Sequence, residues 1–267
     1  MINNMTKGID VSTHQGDIDW KKAKADGVEF AILRAGYGRQ LSQEDAWFER
    51  NYEGCKANGI PTGVYWYSYA TTPQQAKKEA ETCIKVIANK TFEYPIYFDI
   101  EDKTQLALSE EILRKITLTF CDALEAAGYW VGIYSYKAFL EANFTPEILK
   151  RYAVWVAHTG VKQTTFKYPY GIWQYSHTGK VNGISTNVDM NYSYTDYPKM
   201  MKTAGLNGFG KSVDVQYRKH TVVKNESLWV IAEKYLGNGA RYKEIMTLNG
   251  LKTDVIQPGQ VLKIPKA

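Results

Sequence analysis

The run Tyr94-Pro95-Ile96-Tyr97-Phe98-Asp99-Ile100-Glu101-Asp102 decides the architecture. It is an apolar strand that ends in acids. Side chains alternate faces along a strand, so Asp99 and Glu101 share one face with Tyr97, while Ile96, Phe98 and Ile100 take the other. Two acids side by side repel and push their pKa values apart. One carboxyl can then stay protonated as a general acid beside an ionised neighbour, the chemistry that breaks a glycosidic bond. The plainer alternative is an acidic strand end entering a loop.

Working outward, the same pattern recurs. Near the start, Gly8-Ile9-Asp10-Val11-Ser12 is a short apolar strand interrupted by one acid and followed by His14-Gln15-Gly16; further on come Gly171-Ile172-Trp173-Gln174-Tyr175-Ser176 and Asn187-Val188-Asp189-Met190-Asn191. Strand-like runs fall at 7–12, 29–37, 60–69, 94–101, 129–135, 152–158, 171–175 and around Val188, with helix-like segments at 17–26, 43–58, 73–88 and 109–127. Ser109-Glu110-Glu111-Ile112 reads as a capped helix start, and Gly59 and Gly128 as stops. Strands alternating with helices imply a parallel sheet, and eight strands suggest closure into a barrel whose C-terminal strand ends share one mouth. Asp10, Asp99, Glu101 and Asp189 would meet there. Helices thin out after Trp155, so the second half is expected to be irregular and partly antiparallel.

The chain has 267 residues, 44% hydrophobic and 23% charged, enough for one barrel-sized domain and a small module. The expected division is 1–198 for the barrel, 199–216 for a connector containing Gly205, Gly208 and Gly210 with room for a short helix at its start, and 217–267 for a compact βααβ unit. A unit that small has a thin core, which favours binding over chemistry. No run is long enough to insert in a membrane, and the N-terminus has no apolar leader, so synthesis in the cytosol without an export signal of its own is expected. Cys55, Cys83 and Cys121 are isolated and read as core-facing thiols rather than a disulfide framework. The net charge of +5 suits an anionic wall polymer, and no Lys/Arg block suggests nucleic acid. His14, His158, His177 and His220 are scattered, so neither metal nor cofactor is expected; oligomeric state is not legible.

Residues 7–197 resemble glycoside hydrolase family 25, the N-acetylmuramidase lysozymes. The resemblance runs in order through Gly8 to Ser12, Gly63-Val64-Tyr65-Trp66-Tyr67, Tyr97 to Glu101, Trp155-Val156-Ala157, Trp173-Gln174-Tyr175 and Val188 to Asn191. It implies an α/β fold, an irregular (β/α)5β3 barrel, and cleavage of the β-1,4 bond between N-acetylmuramic acid and N-acetylglucosamine in peptidoglycan. It puts the acid/base role on Glu101, with Asp99 beside it and Asp10 and Asp189 on the groove floor. It also favours the substrate's own acetamido carbonyl as nucleophile, steadied by Asp99; a direct Asp99 nucleophile stays open. Glu101 is expected to be protonated in the free enzyme, raised by Asp99 and aromatic walls, with Asp99 ionised. Tyr65, Tyr67, Tyr134, Trp173 and Gln174 are the candidate sugar-lining residues.

The last segment resembles the lysin motif (LysM), through His220-Thr221-Val222, Ser227 to Ala232, Asn249-Gly250-Leu251 and Ile256 to Pro265. That resemblance implies binding of N-acetylglucosamine-containing polymers by Asn225, Glu226, Ser227, Leu228, Leu251 and Ile256. Asn225-Glu226 stands where the family commonly has Gly-Asp; Asn tolerates the left-handed backbone conformation. A catalytic unit, a wall-binding module and no leader together look like a phage endolysin, released to the wall by a separate membrane-breaching protein. A prophage or bacterial autolysin would read the same. Two other readings are a glycosidase acting on chitin-like polymers and a wall-binding protein without catalysis. Tyr97 weighs against the first, because chitinase-type barrels carry an Asp there.

Overall fold

The computed structural model describes residues 5–210, 217–251 and 253–266, and the chain divides into two compact units at residue 211. In the first, eight strands close into a barrel in sequence order: β1 (Thr6–Val11), β2 (Phe30–Tyr37), β3 (Thr62–Tyr67), β4 (Ile96–Asp99), β5 (Val131–Tyr136), β6 (Ala153–Ala157), β7 (Ile172–Gly179) and β8 (Val188–Ser193). Pairing is parallel from β1 to β7 and antiparallel for β7–β8 and β8–β1. Helices α1 (Trp20–Ala25), α2 (Phe48–Ala57), α3 (Pro73–Val86), α4 (Glu110–Ala126), α5 (Lys137–Asn143) and α6 (Pro146–Arg151) fill the connections up to β6. No helix separates β6 from β7, which is where the apolar rhythm of the sequence fades.

Alternation sorts the wall residues into two cores. Ile96, Phe98 and Ile100 face the helices, whereas Tyr97 joins Phe30, Ile32, Tyr134, Trp155 and Ile172 inside the barrel. Bulky rings fit there because facing positions are small: a Cβ on Gly8 would strike the Phe30 ring, and one on Gly132 the Tyr97 ring. Cys55, Cys83 and Cys121 are buried free thiols on α2, α3 and α4.

The connector expected over 199–216 needs correcting in its first part. Helix α7 (Tyr197–Ala204) carries Tyr197 and Met201 into the interior cluster with Phe30, Tyr94 and Tyr97. Buried Asn207 then ties the chain down: its Oδ1 accepts from Trp130 N at 2.7 Å and its Nδ2 donates to Tyr94 O at 2.8 Å. Residues 199–210 therefore close the barrel end opposite the acidic mouth. Residues 211–216 lie outside the described residues.

The second unit is β9 (Tyr217–Thr221), α8 (Leu228–Leu236), α9 (Tyr242–Leu248) and β10 (Val261–Pro265), with β9 and β10 antiparallel. Its core holds Val222, Leu228, Ile231, Ala232, Leu236, Ile245, Leu262 and Ile264. This is the βααβ pattern read from the sequence.

Candidate active site

The four acids meet at the barrel mouth. Asp10 sits late in β1 and pairs in register with Asp189 of β8; Asp99 ends β4, and Glu101 lies two residues beyond it on the same face. Asp10 and Asp99 are buried, while Glu101 and Asp189 keep partial exposure.

A neutral hydrogen-bond network fixes Asp10 from below. Its Oδ2 accepts from Gln174 Nε2 at 3.0 Å and from Asn191 Nδ2 at 2.7 Å. Gln174 Oε1 in turn accepts from Tyr134 OH at 3.0 Å, and Asn191 Oδ1 from Trp155 Nε1 at 2.8 Å. Each amide is thus locked in one orientation by a donor behind it. Asp10 and Asp189 form a coupled pair: burial, then the charge of Asp189, raises Asp10, and burial raises Asp189.

The electrostatics follow from burial. Desolvation, then repulsion from Glu101 and Asp10, raises Asp99 well above the usual carboxylate range, against the pull of Arg34. Desolvation, then Asp189 and Asp102, raises Glu101 to about 7. One expectation changes here: Asp99, expected to be ionised, is itself raised, its mutual repulsion with Glu101 acting alongside that of Asp189 and Asp102 on Glu101. Asp99 Oδ1 is buried with no hydrogen-bond partner among the described residues.

The candidate sugar-lining residues divide. Tyr65 and Tyr67 are half-buried on the mouth side of β3, and Tyr67 OH donates to Asp102 at 3.2 Å. Tyr134 and Gln174 are buried with their polar ends engaged in the Asp10 network, so they position Asp10 rather than line the groove. Trp173 is the clearest miss. Neighbouring Ile172 and Gln174 point inward, so Trp173 points outward into the helix-side core, its Nε1 donating to His158 O at 2.9 Å.

Sequence reading missed Arg34, which pairs with Asp45 at 2.7 Å. The signal was a lone cation in the apolar run Phe30-Ala31-Ile32-Leu33-Arg34-Ala35, in phase with inward-facing Phe30 and Ile32. It also missed Tyr37 and Tyr69, whose rings extend the Tyr67 edge with centroids 6.2 Å and 5.1 Å apart in turn. Among the described residues no cluster of three His, Cys, Asp or Glu side chains could hold a metal.

In the second unit Asn225 takes φ +70°, the left-handed conformation expected of it. Glu226 Oε2 binds His220 Nε2 at 2.7 Å and Val223 N at 2.9 Å, and Ser227 caps α8 by accepting from Val230 N. Leu251 and Ile256 pack partly buried on the core. Leu228 is buried inside that core, which corrects its assignment as a ligand contact.

Residues 9–184 match Glycosyl hydrolases family 25. The chain belongs to that family. This family 25 glycoside hydrolase also carries a LysM domain, matched over residues 220–265. It is 31% identical over 184 residues to the autolytic lysozyme of Clostridium acetobutylicum, covering 69% of this chain and 54% of that one, so the chain spans about half the length of that relative. Among solved structures it is similar to a bacterial lysozyme from Streptomyces coelicolor, with TM-score 0.66, 27% identity, and coverage of 77% of this chain and 98% of that one. It is also similar to the modular autolysin LytC of Streptococcus pneumoniae in complex with a synthetic peptidoglycan ligand, with TM-score 0.62, 32% identity, and coverage of 71% and 46%.

Proposed function

We propose that this family 25 hydrolase is a peptidoglycan muramidase that cuts the β-1,4 bond between N-acetylmuramic acid and N-acetylglucosamine, with its LysM domain holding it on the wall. Glu101, raised to about 7, is the acid that protonates the leaving glycosidic oxygen. The observation that carries the mechanism is Asp99 Oδ1, a buried acceptor without a partner among the described residues, on the same strand face as Glu101. An acetamido N–H of the substrate would supply the missing donor. That donor and nearby Arg34 favour the ionised form of Asp99 as the acetamido oxygen attacks C1 and the leaving oxygen departs with the proton of Glu101. Glu101 then takes a proton from the water that opens the oxazolinium-like intermediate. Asp10 and Asp189 share a proton below and set the charge of the site.

In the LysM domain, Asn225, Ser227, Leu251 and Ile256 would contact the glycan, with Glu226 holding the loop. The test is mass spectrometry of borohydride-reduced fragments released from purified peptidoglycan by the wild type and by Glu101→Gln. Reduced muramic ends from the wild type alone are expected. Reduced glucosamine ends, or free peptides without new reducing ends, would overturn the bond assignment.

A further inference from the structure

Glu79 on α3 is a carboxylate buried outside the acidic cluster of the mouth, with 0% of the residue exposed. Burial raises it to about 7, against the pull of two hydrogen bonds and of Arg39. Its buried neighbours on the same helix include Ala76, Ala80 and Cys83, so an apolar side chain would suit the packing. A buried acid is tolerated only where its hydrogen bonds offset the lost hydration.

Those bonds lead to the reacting end of the barrel. Glu79 Oε2 accepts from Ser68 Oγ at 2.7 Å and Oε1 from Tyr69 N at 2.9 Å. Ser68 Oγ accepts in turn from Ala70 N at 3.1 Å and from Gln105 Nε2 at 3.2 Å. Gln105 Nε2 also donates to Ala70 O at 3.0 Å, and its Oε1 accepts from Asp102 N at 3.1 Å. Every polar atom in this chain is bonded, and Ser68 Oγ is saturated: its one proton goes to Glu79, and both of its lone pairs are occupied. A proton on Glu79 Oε2 would have no acceptor at Ser68 without expelling one of those bonds. The network therefore joins α3, the loop after β3 that follows Tyr67, and the loop after β4 that follows Glu101.

We propose that Glu79 is a positioning residue for the reaction: through Ser68 and Gln105 it fixes the loop after β4, and with it the direction of Glu101 relative to Asp99. The inference rests on the role given to Glu101 under Proposed function. Glu79→Gln isolates it, because the amide keeps the volume but has a single oxygen. Its NH2 must then face either the Tyr69 N–H or the saturated Ser68 Oγ. Gln105→Ala cuts the same chain at its other end.

The experiment measures kcat, KM and their pH profiles on soluble peptidoglycan chains for the wild type, Glu79→Gln, Gln105→Ala, the double variant and Glu101→Gln, each well below its measured melting temperature. Misplacement of a reacting group costs one to two powers of ten, so Glu79→Gln is expected to lower kcat roughly tenfold with KM within about twofold. The midpoint of the alkaline limb should move, since Glu101 would face Asp189, Asp102 and Tyr67 in a new arrangement. The double variant should be no slower than the slower single variant, as members of one chain are not additive. An unchanged kcat and alkaline limb, even with a lowered melting temperature, would make Glu79 structural only and overturn the inference. Should Glu79→Gln fail to fold, Gln105→Ala carries the test alone, an unchanged kcat again overturning it. Activity retained in Glu101→Gln would instead overturn the catalytic reading and the inference with it.

Discussion

The barrel and the LysM domain treat carboxylates in opposite ways. At the barrel mouth Asp10, Asp99, Glu101 and Asp189 are all raised, with burial as the largest cause each time. In the LysM domain Glu226 is lowered, first by the Val223 N–H and then by His220. The difference is one of available wall. The barrel interior surrounds its acids with Tyr65, Tyr134 and Trp155 over a floor of packed aromatics. Among the described residues the LysM core is eight buried side chains, and its loop acid is enclosed by a hydrogen-bonding His220 and a backbone N–H rather than by an apolar wall. A carboxyl held ready to give up a proton near neutral pH needs the thicker enclosure. A carboxylate that closes a loop for binding needs only a donor on each side.

The largest effect should separate the two regions outright. Glu101→Gln is expected to lower glycan cleavage by about 10²–10⁴-fold, the usual contribution of a positioned acid. Retention on insoluble peptidoglycan should be unchanged, checked by co-sedimentation beside a reducing-end assay. Parallel loss of both would break the division of labour. Next comes Arg34→Met, which leaves Asp45 charged in a site where its side chain is 0% exposed. Two backbone N–H donors, of Thr13 and Trp47, remain to Asp45. The expected destabilisation is therefore about 3 kcal/mol, at the low end for an orphaned buried charge. Denaturant titration should show it in the barrel transition alone.

The pH dependence sharpens the contrast because its sign differs between the regions. With Glu101 as the acid proposed above, cleavage should fall as pH rises through about 7. Its folded-state pKa lies above the ordinary value of 4.5, so the native barrel keeps a proton that the unfolded chain releases. The stability from this group is complete below 4.5 and is lost as pH rises toward 7. Glu101→Gln should therefore gain on the wild type across that window, by at most roughly 3 kcal/mol. Glu226 runs the other way: its stabilisation is present above its ordinary value and is lost as pH falls through the lowered one. Urea melts at pH 3, pH 5 and pH 8 distinguish the two: the Glu101 contribution is lost between pH 5 and pH 8, and that of Glu226 between pH 5 and pH 3.

Much of the architecture was legible because strand alternation and helix rhythm are local. The Tyr97/Asp99 phase, the eight strands, the antiparallel finish and the convergence of four acids all follow from which residues alternate. What the sequence hid depends on register between distant segments. Trp173 sits beside Gln174 in a motif, yet only the inward phase of Ile172 and Gln174 shows that the indole faces outward. Residues 199–210 look like a glycine-bearing connector, and nothing local reveals that Asn207 reaches Trp130 and Tyr94. Arg34 was readable in phase, but its partner Asp45 lies across a loop. The four acids could be gathered from sequence, whereas the upward shift of all four required their burial.

The smallest effect tests whether the LysM loop is set by backbone conformation rather than by side-chain contacts. Asn225 holds φ +70°, a region costly for residues with a Cβ and tolerated by Asn and Gly. Asn225→Ala should cost the LysM domain about 1 kcal/mol, and Asn225→Gly should cost little or nothing. Retention on insoluble wall should fall with Ala in proportion to the population of disordered loop, while turnover of short soluble fragments stays unchanged in both variants. The Gly variant decides between causes. If it binds the wall like the wild type, the Asn side chain serves only to allow the turn, which places glycan contact on Ser227 and the facing Leu251 and Ile256. If Gly loses binding while the domain melts normally, the Asn225 amide itself touches the sugar.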